Sequence, residues 1–190
     1  MPKRNPRMSK LKTRIVQLER ENEKLRALAH EDPLTKLPNR RAFEEAKKHE
    51  LSHAHRHGIP MCYATCDIDR FKLVNDSFGH SVGDIILVRM AELLKHHCRE
   101  SDFLARLGGE EFGILLPHTD IAGARLFIER LRETVEAELK VHVGSNTVHC
   151  TASFGVGELH QHQSMEDLVH QVDLALYRAK HAGRNRVMMA

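Results

Sequence analysis

The sequence predicts an α+β domain in which one antiparallel sheet is packed against helices. Short apolar runs alternate with longer segments of helical periodicity in the order β-α-β-β-α-β, which is the ferredoxin-like arrangement. Hydrophobic residues make up 41% of the 190 residues, enough to build a core. Aromatic residues make up only 5%, with no Trp, so we expect that core to be mainly aliphatic.

The chain is expected to divide into a basic tail with a helix over 1–31 and a globular domain over 32–190. Asp32-Pro33 marks the boundary, because the residue before a proline is disfavoured in the α-helical region. The net charge of +3 is too close to balance to indicate a nucleic-acid partner. No apolar run approaches the ~20 residues that span a bilayer, and the N-terminus lacks an apolar signal segment, so a cytoplasmic location is expected.

The N-terminal helix carries a heptad pattern from Met8 to Ala29. The d positions are Leu11, Leu18 and Leu25, and the a positions are Met8, Ile15, Asn22 and Ala29. Ile at a with Leu at d favours a parallel two-stranded coiled coil, and a paired Asn at a fixes its register. The sequence therefore predicts a homodimer through this helix. The alternative is an amphipathic helix packed on its own domain.

The globular part contains five expected strands and four expected helices. We expect strands at 61–69, 103–107, 112–116, 146–156 and 186–189. We expect helices after Asn39, after Gly83, over 121–139 and after Ser164. Asn39 is a suitable N-cap, and Ser164 with Asp167 resembles a capping box. Gly108-Gly109 indicates a hairpin turn between the second and third strands.

Acidic residues gather at two strand ends. Asp67 and Asp69 end the first strand on one face, while Glu110 and Glu111 follow the Gly-Gly turn and point to opposite sides. If the hairpin lies beside the first strand, Asp67 approaches one glutamate. Such close carboxylates raise each other's pKa unless a cation intervenes, and oxygen ligands favour Mg²⁺. The alternative is an acidic turn on the surface.

Polar residues suited to a nucleotide follow the first strand. Asn75 and Asp84 flank an expected loop over 76–83, and their donors and acceptors match a guanine edge. Lys72, Lys180 and Arg184 could bind phosphate. Lys180 and Arg184 could instead stabilise the C-terminal end of the last helix. No P-loop motif is present.

Gly108-Gly109-Glu110-Glu111-Phe112 resembles the signature of the GGDEF family of diguanylate cyclases, with Glu in place of Asp. Three further stretches resemble the family in the same order: Asp32 to Arg41, Asp67 to Asp84 and Tyr177 to Asn185. The resemblance implies the palm-like fold of nucleotide cyclases. It also implies the condensation of two GTP to cyclic di-GMP, with release of two pyrophosphates.

The resemblance also implies roles for particular residues. The implied ligands of two Mg²⁺ ions, which Mn²⁺ can replace, are Asp67, the carbonyl of Ile68 and Glu110. Glu110 or Glu111 would help to deprotonate the 3′-hydroxyl. The implied substrate-binding residues are Asn75 and Asp84 for guanine, with His80 nearby, and Phe71, Lys72, Lys180 and Arg184 for phosphates.

Regulation and dimerisation follow from the same resemblance. Each domain of this family binds one GTP, so two domains must face each other, and the coiled coil would bring them together. Arg99 and Asp102 are similar to the family's R-x-x-D inhibitory product site, and Arg130 would assist. The alternative is a surface ion pair between Arg99 and Asp102.

Two other functions remain open at this point. One is a catalytically silent receptor that binds cyclic di-GMP and signals through the coiled coil. The other is a cyclase that makes a mixed purine product, which Asp84 disfavours. The histidine-rich segment at His49, His53, His55 and His57 is interpreted as a solvated loop rather than a metal sensor.

Overall fold

The structure is a computed structural model of one chain and describes residues 10, 14–19, 21, 29–160 and 163–190. Residues 14–19 and 21 are helical. Ile15 and Leu18 lie in this helical backbone with 53% and 48% of their surface exposed, so neither side chain is buried against its own domain. Of the other predicted heptad positions, Ala29 is partly exposed, and Met8, Leu11, Asn22 and Leu25 lie outside the described residues.

The domain contains the following elements. The helices are α1 Arg40–His57, α2 Phe71–Phe78, α3 His80–His97, α4 Ile121–Glu138 and α5 Met165–His181. The strands are β1 Met61–Ile68, β2 Phe103–Gly108, β3 Glu111–Pro117, β4 Lys140–Val143, β5 Asn146–His149, β6 Ala152–Glu158 and β7 Val187–Met189. Among the described helices, none has the length and apolar character needed to cross a membrane.

Two predicted helix starts are confirmed by their hydrogen bonds. The side chain of Asn39 accepts from the backbone N–H of Ala42 at the start of α1. The side chain of Ser164 accepts from the backbone N–H of Asp167 at the start of α5. These bonds satisfy N–H groups that a helix leaves without an internal partner.

The main sheet has the strand order β2-β3-β1-β6-β7. The expected antiparallel pairing holds for β2, β3, β1 and β6, but β7 pairs with β6 in parallel. The physical reason is that α5 connects β6 to β7 as a crossover helix, which returns the chain in the same direction. The single strand expected over 146–156 is also wrong, because β5 pairs with β4 in a separate hairpin and β6 joins the main sheet.

Helices cover both faces of the sheet. Alternate residues of β1 point to opposite sides, so Cys62 and Cys66 pack in the cluster that includes residues of α3 and α4. Tyr63 packs with Phe43 of α1 and Leu168 of α5. Every residue of β1 is buried, which makes this central strand a rigid base for the side chains at its end.

Two expected loops are helical. The segment over 76–83 contains the end of α2 and the start of α3, joined at Gly79. Gly79 has a φ of 82°, a conformation that glycine adopts without a side-chain clash, so one residue is enough to redirect the chain. The histidine-rich segment lies in α1. Among the described residues, no three His, Cys, Asp or Glu side chains are arranged to hold a metal ion.

All four cysteines are free thiols. Burial raises the pKa of Cys62 and Cys98 to about 12, and that of Cys150 to about 11. Burial also raises the pKa of the Cys66 thiol well above its ordinary value. The cysteines therefore act as small apolar side chains of the core and its margin.

Candidate active site

An acidic cluster forms where β1 meets the β2–β3 hairpin. Asp67 of β1 lies directly opposite Glu111 of β3 in the antiparallel register. Residues paired in this way share one face of a sheet, which here is the face that α1 and α5 cover. Glu110 lies in the turn before β3, and its carbonyl accepts a hydrogen bond from the Ile68 N–H at 3.4 Å. The structure thus brings Asp67 beside the hairpin, as the sequence predicts.

The Asp67 carboxyl group is nearly enclosed, with 6% of the residue exposed. The pKa of Asp67 is raised to about 6. Burial is the largest cause, and the negative charges of Glu110 and Glu111 act in the same direction. Lys180 acts in the opposite direction, with its Nζ 2.8 Å from Asp67 Oδ2. This environment favours a cation beside Asp67, because positive charge relieves both the burial and the repulsion.

Asp69 is bonded in a different way from Asp67. Its Oδ1 accepts from the Ser153 hydroxyl and its Oδ2 from the Thr151 hydroxyl, each at 2.7 Å. Asp69 also lies just beyond the end of β1. Asp69 therefore lies outside the strand expected over 61–69, and its oxygens are engaged within the protein.

Two arginines outside the predicted site hold the hairpin. Arg106 donates to the carbonyl of Gly109 from Nε and Nη2, at 3.0 and 2.7 Å, and to Asp32 from Nη1 at 3.0 Å. Arg40 donates to the carbonyl of Leu107 at 2.7 Å, and its guanidinium lies 3.8 Å from Glu111. The sequence signal that could identify Arg106 is its place in the otherwise apolar strand FLARLG, because a charge there needs a partner.

Asp32 forms the other half of the Arg106 contact. Burial raises the pKa of this carboxyl, but hydrogen bonds from Thr35 and Arg106 outweigh burial and hold the pKa below its usual value. Both side chains of the pair are largely buried. The contact therefore connects the segment before α1 to the strand that leads into the hairpin turn.

Asn75 and Asp84 lie on neighbouring helices that meet closely. A Cβ atom on the buried Gly83 would overlap Asn75 Oδ1 and lie 3.1 Å from Phe71 Cζ. Glycine at this position therefore allows the Asn75 amide to approach α3, next to the exposed Asp84. His80 is the exposed first residue of α3. On α2, Phe71 is buried and Lys72 is exposed.

The two predicted phosphate-binding cations line different cavities. Lys180 lines a cavity of about 300 Å³ together with Glu111 and Arg40. Arg184 lines a separate cavity of about 420 Å³, together with Arg70 and residues of α2. The structure thus brings Lys180 to the acidic cluster, whereas Arg184 lies in the turn that follows α5.

Arg99 and Asp102 meet in the turn after α3. The Arg99 backbone N–H donates to Asp102 Oδ2 at 2.8 Å, and the described ion pairs include none between their side chains. Asp102 Oδ1 is buried without a hydrogen-bond partner among the residues that the structure describes, and burial is the main cause that raises the pKa of this carboxyl. Arg130 lies on α4 with its guanidinium 5.5 Å from the centre of the Phe127 ring.

The chain belongs to the GGDEF-domain family of diguanylate cyclases. The family profile, described as "Diguanylate cyclase, GGDEF domain", matches residues 29–186. The chain is 41% identical over 170 residues to the diguanylate cyclase DgcP of Pseudomonas aeruginosa, covering 90% of this chain and 25% of that protein. It is 39% identical over 180 residues to DgcM of Escherichia coli, covering 93% of this chain and 42% of that protein. The chain thus spans less than half the length of these relatives.

Solved structures of similar chains agree with this membership. The coiled coil and GGDEF domain of DgcB from Caulobacter crescentus, in complex with c-di-GMP, has a TM-score of 0.91 and 30% identity, covering 97% of this chain and 98% of that chain. The active GGEEF domain of a diguanylate cyclase from Vibrio cholerae has a TM-score of 0.74 and 34% identity, covering 80% of this chain and 96% of that chain.

Proposed function

We propose that this protein is a diguanylate cyclase that condenses two GTP to cyclic di-GMP and two pyrophosphates. The observation that carries the proposal is the buried Asp67 carboxylate opposite Glu111, with Glu110 in the adjoining turn. In-line phosphoryl transfer needs neutralisation of charge and positioning of the attacking oxygen, and this cluster supplies groups for both. We propose the cytoplasm, where GTP is plentiful, as the location.

The donor set fits Mg²⁺. Asp67 and Glu110 offer carboxylate oxygens and Ile68 a carbonyl oxygen, and Mg²⁺ is commonly bound by one or two carboxylates plus substrate phosphates. When bound, the metal would lower the pKa of the 3′-hydroxyl and neutralise phosphate charge. Glu110 or Glu111 would accept the proton of the attacking hydroxyl. Lys180, now paired with Asp67, would then be free to turn toward the phosphates.

Substrate recognition would use both sides of α2. Asn75 and Asp84 together offer the donor and acceptors that complement a guanine edge, with His80 next to them. Phe71 through its backbone and Lys72 through its ammonium group would contact the phosphates. Lys180 and Arg184 would hold the terminal phosphates from the end of α5.

The proposed catalytic unit is a homodimer, because each domain contributes one GTP to a two-fold symmetric product. The exposed Ile15 and Leu18 at the a and d positions support a parallel coiled coil. The similar chain of DgcB, whose structure includes a coiled coil, also supports this arrangement.

The first test measures cyclic di-GMP formation from GTP and Mg²⁺ against protein concentration. We expect wild-type turnover, and we expect Leu18→Glu to lower the specific activity at dilute protein by about 10-fold or more, because two charges would meet at the d layer. Val16→Glu is the matched control, since Val16 is similarly exposed but lies off the seam. Equal concentration dependence in the two variants contradicts the coiled-coil dimer. Product binding without any GTP turnover would instead support the silent receptor.

Product inhibition is proposed at Arg99 and Asp102, with Arg130 assisting. Asp102 Oδ1 has no hydrogen-bond partner in the described part of the chain, which supports a ligand here, because such a buried oxygen gains from a donor such as a guanine N–H. We expect Asp102→Ala to raise the cyclic di-GMP concentration for half-inhibition by about 10-fold or more, since hydrogen bonds to charged groups are strong.

The measurement is a product titration of the turnover rate. Glu100→Ala, at an exposed neighbouring residue, serves as the control and should be inhibited like the wild type. If Asp102→Ala and wild type are inhibited at the same concentration, the product does not act through this turn.

A further inference from the structure

The turn after α5 contains two residues in an unfavourable backbone conformation. Arg184 has a φ of 63° and Asn185 a φ of 47°, both in the left-handed region. Two consecutive residues other than glycine persist in this region only where their surroundings hold them. Because Arg184 itself is exposed, contacts made by other residues must hold this turn.

Asp69 holds the turn from the side of the sheet. The backbone N–H of Asn185 donates to Asp69 Oδ2 at 3.0 Å, and the Thr151 hydroxyl donates to the same oxygen at 2.7 Å. The Ser153 hydroxyl donates to Oδ1 at 2.7 Å, and the Asp69 N–H donates to the carbonyl of Thr151 at 2.8 Å. A buried carboxylate with both oxygens bonded has little freedom to move.

The side chain of Asn185 holds the turn from the side of α4. Its Oδ1 accepts from Arg132 Nη1 at 3.1 Å, and its Nδ2 donates to Glu136 Oε1 at 2.9 Å. Arg132 is largely buried and is itself fixed by Glu129 at 2.6 Å and Glu136 at 2.7 Å. The turn is thus bonded to two elements at once, the β1–α2 connection and α4.

We propose that Asp69 and Asn185 are positioning residues that fix the backbone of Arg184 so that its guanidinium can bind the terminal phosphates of the nucleoside triphosphate. The inference rests on the proposed function and deepens it. Asp69 lies two residues after Asp67, so one short connection carries both the proposed metal ligand and the anchor of the phosphate-binding turn. This arrangement sets the separation between the two charges that the triphosphate meets.

The network predicts a particular selectivity. Asn185→Ala removes the bonds to Arg132 and Glu136 and disfavours the left-handed backbone, so Arg184 loses its fixed position. Only ligands with terminal phosphates should then bind less tightly. GMP has no terminal phosphates for Arg184 to bind, so its affinity should be unaffected.

The experiment measures binding of 3′-deoxy-GTP and of GMP by calorimetry with Mg²⁺ in the full chain. 3′-Deoxy-GTP lacks the attacking hydroxyl, so it cannot be turned over. We expect Asn185→Ala to weaken binding of 3′-deoxy-GTP by about 10-fold or more and of GMP by less than about 2-fold, as the loss of a charged hydrogen bond requires. In an Arg184→Ala background, Asn185→Ala should add less than about 2-fold, because both changes remove one contact.

Two variants separate positioning from folding. Asn185→Gly tolerates the left-handed backbone and should recover part of the 3′-deoxy-GTP affinity. Asn146→Ala, at an exposed asparagine of β5, should bind both ligands like the wild type. Equal losses for 3′-deoxy-GTP and GMP, or a full additional loss in the Arg184→Ala background, would overturn the inference. Absence of cyclic di-GMP synthesis by a wild type that still binds with this selectivity would instead overturn the proposed function.

Discussion

Asp67→Asn should reduce cyclic di-GMP synthesis by about 100-fold or more, because the change removes the charged ligand at the centre of the acidic cluster. The amide has the same shape as the carboxylate but binds Mg²⁺ poorly. The fold should survive. Burial already disfavours the charged form of Asp67, as its pKa of about 6 indicates, so loss of the charge removes a cost as well as the contact with Lys180.

The measurement combines the rate of product formation with thermal unfolding of the same samples. Asp76→Asn on α2 is the matched control, since this carboxylate is exposed, and it should retain wild-type activity. Nearly full activity of Asp67→Asn at saturating Mg²⁺ would remove Asp67 from the proposed metal site. A parallel loss of activity and melting temperature would indicate a structural role instead.

Gly83→Ala should weaken GTP binding by about 10-fold or more and relax the choice between GTP and ATP. The added methyl group would overlap Asn75 Oδ1 and press against Phe71, so the Asn75 side chain must leave the position from which it is proposed to bind guanine. Loss of one buried hydrogen bond between protein and ligand is sufficient for an effect of this size. The change in stability should be small, because Asn75 is partly exposed and can move.

The readout is KM for GTP, together with the products formed from a mixture of ATP and GTP. Ser81→Ala, at an exposed residue in the same first turn of α3, is the control and should leave both unchanged. An unchanged KM and unchanged selection in Gly83→Ala would mean that Asn75 does not bind guanine.

The features of the fold that depend on neighbouring residues in the sequence could be predicted. The caps at Asn39 and Ser164 were correct because each side chain bonds a backbone N–H within three residues. The parallel pairing of β7 could not be predicted, because a strand of three residues carries no periodicity and its direction depends on the path of α5. The sequence predicts a loop at the α2–α3 junction, because clear helical periodicity resumes only after Gly83. The structure uses Gly79 to redirect the chain and Gly83 for close packing.

The part of the candidate site that lies at the ends of strands could be predicted from the sequence. Asp67 beside the hairpin could be expected from sheet pairing alone. The different bonding of Asp69 could not, because Thr151, Ser153 and Asn185 reach it from segments more than 80 residues away, separated by 82, 84 and 116 positions. The contact between Arg106 and Asp32 spans 74 positions, and nothing in the local sequence of either residue identifies the other.

The reactivity of the buried thiols is expected to report the unfolding of the protein. Alkylating reagents attack the thiolate, and the raised pKa values of Cys62 and Cys150 leave almost none of it near neutral pH. Cys62 and Cys66 also lie on the central strand of the sheet, so a reagent reaches them only after the strands separate. Alkylation of Cys62 and Cys66 should therefore follow global opening of the sheet, and no probe needs to be introduced into the protein.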